Sequence, residues 1–524
     1  MAPKHPFILF FTGLLLSISF AFGQQGGKQQ WHYTLSFDPA AKNVHVSLTL
    51  AGSLPDPLVF RMAAWTPGYY QLMNYAKNLS GFNAADERGA SLTWEQPGAD
   101  AWKVNTGGKK SITLQYDIKA PRNFVAGNFL DAEHGFLSPA GIFLYLPERI
   151  KQPVTVTIKQ PEGWSDIATG MDHLAADPNT LTAPDFDILF DSPILLGKLE
   201  TLPGFRIKGI PHNFIAYKAG DFDRAQFMAD LRKILEAGIA VIGDIPYKHY
   251  TFVAIGPGGG GIEHLNSAAI SFNGTGLNTP AGRLKLYSFL AHEYFHHYNV
   301  KRIRPIELGP FDYQKENRTE SLWVSEGLSV YYEYIMLRRA GLSTADEFTN
   351  QLRTNLLAYE TKPGRLYQSV TQASWETWSD GPFGRTGDAV NKTISYYDKG
   401  PVLGLMLDLK IRHETNNKRS LDDVMRAVYQ QYYRKLKRGF TPAEFRRQCE
   451  KAAGVPLTDF FEYVTTVKEI DYHTYFAYAG LAIDDAWKEQ PAAAEKTRSF
   501  TITPLLAPDA LQKAIYQSVF GGGN

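Results

Sequence analysis

Residues 290–299 read Leu-Ala-His-Glu-Tyr-Phe-His-His-Tyr-Asn, and this stretch decides what kind of fold the second half of the chain must build. On an α-helix, positions four apart are separated by about 40° around the axis, so His292 and His296 project from one face and can meet one metal ion. His297 projects elsewhere and reads as a packed or hydrogen-bonded histidine beside the site. Two histidines leave a tetrahedral ion short, since a hydrolytic centre takes three protein ligands and keeps one position open.

The third ligand is sought downstream. Glu326, in Ser-Leu-Trp-Val-Ser-Glu-Gly-Leu-Ser (321–329), is a carboxylate in the first turn of an amphipathic helix, where an isolated glutamate would otherwise complement the helix dipole. Glu333 shares its face and can support the site from behind, or stand in solvent. Glu293 adjoins the first histidine, poorly placed as a ligand but within reach of the hydrolytic water. That is the position of a general base in the H-E-x-x-H pattern, and zinc brings the pKa of such a water toward about 7.

Pro280 suits the first turn of the helix that carries the motif. Upstream, residues 222–243 repeat apolar positions at three and four and read as a helix ending near Gly243. Tyr-Thr-Phe-Val-Ala-Ile-Gly (250–256) and Ser-Ala-Ala-Ile-Ser-Phe (267–272) read as strands flanking the glycines of 256–261. Further helices are expected at 325–339, 400–413, 420–435 and 442–453, the last two with capping boxes at Ser420/Asp423 and Thr441/Glu444. From Trp31 to about Glu200 the period is two instead. Short β-rich runs, among them Gly-Ile-Phe-Leu-Tyr-Leu (141–146) and Phe-Asp-Ile-Leu-Phe (186–190), predict a β-sandwich-like domain.

The whole chain of 524 residues has room for several domains, and 44% hydrophobic residues supply an ordinary packed core. Fifty-four basic against 53 acidic residues give a formal charge of +1, too little field to attract nucleic acid or an anionic membrane. Lys4 and His5 precede an apolar run from Phe7 to Phe22, and Ala21-Phe22-Gly23 offers a small-x-small cleavage pattern, so residues 1–23 read as a cleaved export signal. No later stretch is apolar enough to span a bilayer. Cys449 is the sole cysteine, which excludes an internal disulfide, and it reads as a packed thiol.

His-Glu-Tyr-Phe-His-His-Tyr-Asn-Val-Lys-Arg-Ile-Arg-Pro (292–305), followed by Leu-Trp-Val-Ser-Glu-Gly-Leu-Ser-Val-Tyr-Tyr (322–332), resembles the glycyl aminopeptidase family of gluzincin metallopeptidases. The resemblance implies His292, His296 and Glu326 as ligands of one Zn2+ per chain and Glu293 as the base. Ser-Tyr-Tyr-Asp-Lys-Gly (395–400) is similar to a further family segment and implies that Tyr397 donates to the oxyanion. On residue type alone Tyr396 is its equal. Gly-Pro-Gly-Gly-Gly-Gly-Ile-Glu-His-Leu-Asn (256–266) resembles the family's substrate strand. There Gly260 and Gly261 let an extended peptide approach, Glu263 takes the substrate's free amino group, and His264 positions a peptide carbonyl. Lys301, Arg302 and Arg304 also match; of their two uses, meeting a substrate carboxylate or tying down a long loop as surface charges, the second is the default reading. In Trp-Thr-Pro-Gly-Tyr-Tyr-Gln (65–71), Tyr69 replaces the family's usual Ser.

The expected chain is a multidomain α+β protein. A signal peptide (1–23) precedes an N-terminal β-sandwich-like domain (24–205) and a thermolysin-like α/β zinc catalytic domain (206–410). A helical C-terminal part (411–485) follows, then a tail or vestigial PDZ remnant (486–524). The implied function is an exported, periplasmic or secreted zinc aminopeptidase removing small first residues, Gly or Ala, from peptides with a free N-terminus. Neither nucleic acid nor stable membrane insertion is expected. The rival readings are a zinc endopeptidase or other amide hydrolase on the same site, and a catalytically inactive peptide-binding protein. The intact set of ligands, base and phenol argues against the last.

Overall fold

A computed structural model describes residues 30–384, 387–487 and 498–522. The leader read in residues 1–23 lies outside the described residues.

Period-two alternation in the N-terminal half becomes a seven-stranded sheet. Gln30–Asp38 pairs antiparallel with Asn43–Ala51, setting Trp31, Tyr33 and Leu35 opposite Leu50, Leu48 and Val46 on one buried face. The strand order is Asp172–Leu174, Asp177–Ala183, Val154–Ile158, Gln30–Asp38, Asn43–Ala51, Ser111–Lys119, Leu79–Asp86. Its apolar face shares a core with Phe60, Trp102 and Val104 from a three-stranded sheet, which makes the half sandwich-like.

Two expected strands are not strands. Phe186–Phe190 is a short helix, because the Asp185 side chain accepts from the Ile188 amide and caps it, burying Phe186, Leu189 and Phe190. Within 141–146 only Tyr145 pairs, bridging Arg61; the run is buried on every side and fills the sandwich core instead of alternating.

In the second half, Ile210–Ala216, Tyr250–Ala254 and Ser267–Ile270 run parallel, and Gly261–Glu263 returns antiparallel along the outer edge. A four-stranded sheet of the first half packs on this one, with Phe136, Ala168 and Leu195 against Val253, Ile262 and Ala269. The helix Arg224–Ile242 ends at Gly243 in the left-handed conformation, and Pro280 opens the motif helix Pro280–Phe295 behind the Thr279 cap. Both expected capping boxes form. Helices Ala345–Glu360 and Val370–Asp380 were not anticipated. Downstream, Leu421–Val428, Pro442–Ala453 and the tail helix Ala510–Val519 join the same core, with Ile515, Val519 and Phe520 buried. No helix among the described residues is long and apolar enough to cross a membrane.

Residues 299–322 link the two potential ligand helices by way of the other half. Tyr313 is buried in the sandwich core and donates to Asp187 at 2.8 Å, while Trp65 donates to the Asp312 carbonyl at 2.9 Å.

Candidate metal centre and substrate cleft

His292 and His296 lie one turn apart on the motif helix, their Nε2 atoms 2.8 Å from each other. Glu326 comes to them from the turn Trp323–Gly327, which is wound as a π-helix before continuing as the α-helix Leu328–Arg339. Its Oε2 is 3.2 Å from His296 Nε2 and 3.7 Å from His292 Nε2. A π-turn loosens the ordinary carbonyl ladder, and such turns gather at functional sites. Here the Asn299 side chain takes up the slack, donating to the Val324 and Ser325 carbonyls at 2.8 and 3.1 Å. The Asn299 carbonyl meanwhile faces His296 Nδ1 at 2.7 Å. One residue therefore orients both ligand elements, and nothing about its place after the histidines had distinguished it.

The outer nitrogens fix the inner ones. His296 Nδ1 donates to a carbonyl and His292 Nδ1 lies 3.0 Å from Glu333 Oε2, so each Nε2 turns a lone pair inward. Two lone pairs and a carboxylate oxygen, all within 4.8 Å, repel one another unless a cation joins them. Two imidazoles and a carboxylate are a donor set that suits zinc, and the residues fit the ion. The surrounding carboxylates call for positive charge here, whether a cation or a proton: burial disfavours a charged His292, yet Glu326 and Glu333 still push it well above the ordinary imidazole range. Burial would raise the Glu326 carboxyl, but His296 and His292 hold it below the usual carboxylate range.

Glu293 is buried, and its Oε2 has no hydrogen-bond partner. Burial, reinforced by the Glu263 and Glu326 carboxylates and opposed by the two imidazoles, pushes its carboxyl up to about 7. It reaches that position beneath the edge strand because residue 261 has no side chain: a Cβ on Gly261 would fall 2.4 Å from Glu293 Cδ. On the other side, the Tyr397 hydroxyl donates to Glu326 Oε2 at 2.9 Å. The Tyr396 hydroxyl is engaged with Thr377 Oγ1 at 2.9 Å instead, so geometry separates two tyrosines that residue type could not. A third phenol, Tyr70 of the β-rich half, reaches Glu326 Oε1 at 3.4 Å. The family likeness of residues 65–71 assigns this residue no role.

His297 points away, its ring enclosed by Tyr247, Tyr250, Tyr294 and Tyr298. A cleft of about 730 Å³ opens over the centre, lined by Tyr69, Tyr70, Gly260, Gly261, His292, Glu293 and Tyr397 among others. Glu263 and His264 lie just outside that lining, both buried. Their surroundings correct the reading of residues 301–304 as surface charges. Lys301 is buried, 2.8 Å from Asp191 Oδ1 and 3.7 Å from Glu263 Oε1. Asp191 also meets His264 Nδ1 at 3.1 Å and the Leu265 amide at 2.7 Å. Burial acts to raise the Asp191 carboxyl, but Lys301 and His264 hold it down at about 2. Arg302 is likewise interior, donating to the carbonyls of Leu265, His297 and Pro246. The sequence misled because charged residues are exposed by default unless paired, and Asp191 stands 110 positions away.

Comparison with known proteins bears on the same residues. The family model described as the peptidase M61 N-terminal domain matches residues 32–198, and that described as M61 glycyl aminopeptidase matches residues 285–403. Among solved structures, an aminopeptidase N family protein from Idiomarina loihiensis is similar at 25% identity and a TM-score of 0.82, over 89% of this chain and 81% of that one. An M1 zinc metallopeptidase from Deinococcus radiodurans shares the fold at 12% identity and a TM-score of 0.51, over 86% of this chain and 96% of its own. No curated protein matches. The two family models together cover the sandwich, the motif helix, Glu326 and Tyr397, and the chain belongs to the M61 glycyl aminopeptidases, a family of metallopeptidases.

Proposed function

We propose that this protein is an exported aminopeptidase with one zinc ion per chain, removing Gly or Ala from peptides with a free N-terminus. The observation that carries the reading is the convergence of His292, His296 and Glu326 within 4.8 Å, beside a buried Glu293 lacking a partner for Oε2 and across from Tyr397. Bound there, zinc would polarise the scissile carbonyl and acidify the attacking water. The protein's own groups do the rest. Gly260 and Gly261 line the cleft and the strand 261–263 has a free edge, so an extended peptide can lie along it. Glu293 takes the proton of the attacking water and later passes it to the leaving amine. Tyr397 donates to the oxygen that gains charge, and Tyr70 stands nearby on Glu326.

Glu263 is assigned the substrate ammonium. It shares Lys301 with Asp191, which is the nearer at 2.8 Å against 3.7 Å, and the buried Glu263 Oε1 keeps no hydrogen-bond partner. A free amine supplies a charged one, whereas an acetylated amine does not. Export on the 1–23 leader, the absence of nucleic-acid or membrane partners and the small first residue belong to the same proposal.

The test is hydrolysis of Gly- and Ala-anilides with metal analysis of the purified protein, beside a pair of peptides differing only in N-acetylation. Metal at one equivalent and loss of cleavage on acetylation are expected. Equal cleavage of both peptides would turn the reading into an endopeptidase, and metal-free protein with full activity would remove it.

A further inference from the structure

The cleft does not stop at the centre. Its lining continues from His292 over the preceding turns of the same helix, past Phe289 and Ser288 to Lys285, with Val330 and Gln351 on the facing elements. Seven residues of helix advance about 10 Å and return to within about 20° of the same face, so Lys285 lies along the groove two turns from His292. His292, Glu293 and Glu333 are the other charged groups in that lining, and all three belong to the centre. Lys285 makes no ion pair among the described residues. Between them, Gln351 Nε2 donates to Ser288 Oγ at 2.8 Å, which ties the facing helix to the groove floor.

Polarity thus differs at the two ends of one groove. Glu263, negative, lies behind Gly260 and Gly261; Lys285, positive, lies on the far side of His292. A peptide with its amino end at Glu263 and its first carbonyl at the centre runs its remaining residues over Phe289 toward Lys285. Extended chain covers about 3.3–3.6 Å per residue, so a span of about 10 Å, shortened by the reach of the lysine, is filled by two or three residues after the scissile bond.

We propose that Lys285 binds the C-terminal carboxylate of tripeptides and tetrapeptides, making short peptides the substrate class of this enzyme. This rests on the aminopeptidase reading above. The partner lies at the carboxyl end of the substrate, so the site sets length preference and leaves the first-residue preference alone.

The experiment compares Ala-Gly-Gly as free acid and as C-terminal amide, with Ala-p-nitroanilide as a probe lacking the carboxylate, in the wild type, Lys285→Met and Lys285→Arg. Expected are an about fivefold advantage of the acid in kcat/KM, carried by KM, its loss in Lys285→Met and its retention in Lys285→Arg. Anilide hydrolysis stays the same in all three, and the acid advantage shrinks at high salt and disappears for a hexapeptide. Equal rates for acid and amide in the wild type, or an acid advantage surviving Lys285→Met, would overturn the proposal. So would Ala-Gly-Asp-amide matching the free acid, which would make the site one for acidic side chains. Failure of the wild type on the anilide itself is a separate signature and would overturn the aminopeptidase reading along with this one.

Discussion

Gly327 and Gly400 meet with nothing between their backbones: a Cβ on Gly327 would lie 2.6 Å from the Gly400 Cα, and a Cβ on Gly400 2.4 Å from the Gly327 Cα. This contact brings the turn that carries Glu326 against the first turn of Tyr396–Glu414, and so allows the 2.9 Å bond from Tyr397 to Glu326. Gly400→Ala is expected to push the elements apart at a cost of about 1–3 kcal/mol, lowering the melting temperature by several degrees. Activity should fall further than for Tyr397→Phe, because the ligand moves as well as the phenol. Thermal denaturation and anilide kinetics on both variants check this, and a Gly400→Ala protein with wild-type kcat would contradict it.

Asn299 orients His296 and relieves the π-turn under Glu326, though it touches neither ion nor substrate. Replacing such a supporting group typically weakens metal affinity by about 10- to 100-fold. Asn299→Ala should show that loss in a chelator competition, with activity restored by excess metal. Unchanged affinity would mean that packing alone places the ligands.

Glu293 works as a carboxylate, and its buried carboxyl titrates near 7 in the metal-free site. A raised pKa means that protonation, hence inactivity, comes as pH falls; a bound cation moves that limb lower, never higher. The kcat/KM profile should therefore decline on the acid side, with a midpoint no higher than about pH 7. Glu293→Gln should cut kcat by about 10²- to 10⁴-fold with the metal retained. A mutant keeping the wild-type rate would take the base role away from this residue.

Asp191 has a folded pKa of about 2 against an ordinary 3.8. Because the folded value is the lower one, its contribution is complete above about pH 4 and is lost as pH falls through about 2. The shift corresponds to about 2 kcal/mol, and Asp191→Asn also takes from the buried Lys301 its nearer carboxylate, leaving Glu263 at 3.7 Å as the other. The variant should be less stable at pH 7, with the gap to wild type closing under strong acid. KM for free-amine peptides should rise, since Glu263 and Lys301 would then neutralise each other. A stability gap independent of pH would show that the carboxylate charge is not what matters.

Much of the centre was legible in sequence because it is local. The i,i+4 histidines need only a helix, and the helix announces itself by Pro280 and its apolar period. Glu326 and Tyr397 were reachable through motif likeness, since each sits at the beginning of an element. What escaped depends on long-range placement: Tyr70 crosses from the other half, Asp191 meets Lys301 from 110 residues away, and Asn299 acts through backbone carbonyls. The misread strand at 186–190 fails for a smaller reason. Two aromatic residues with Ile and Leu carry the same β preference in a strand or in a one-turn helix, and only the Asp185 cap decides between them.

The thirty positions separating His296 from Glu326 make an excursion that plants Tyr313 in the sandwich and returns. Cutting the chain between the halves would therefore not liberate a working hydrolytic module. The excised piece would lose the socket for Tyr313 and the Trp65 donor to its Asp312 carbonyl, and with them the leash that delivers its third ligand. Removing the sandwich would therefore also dismantle the ion's cradle.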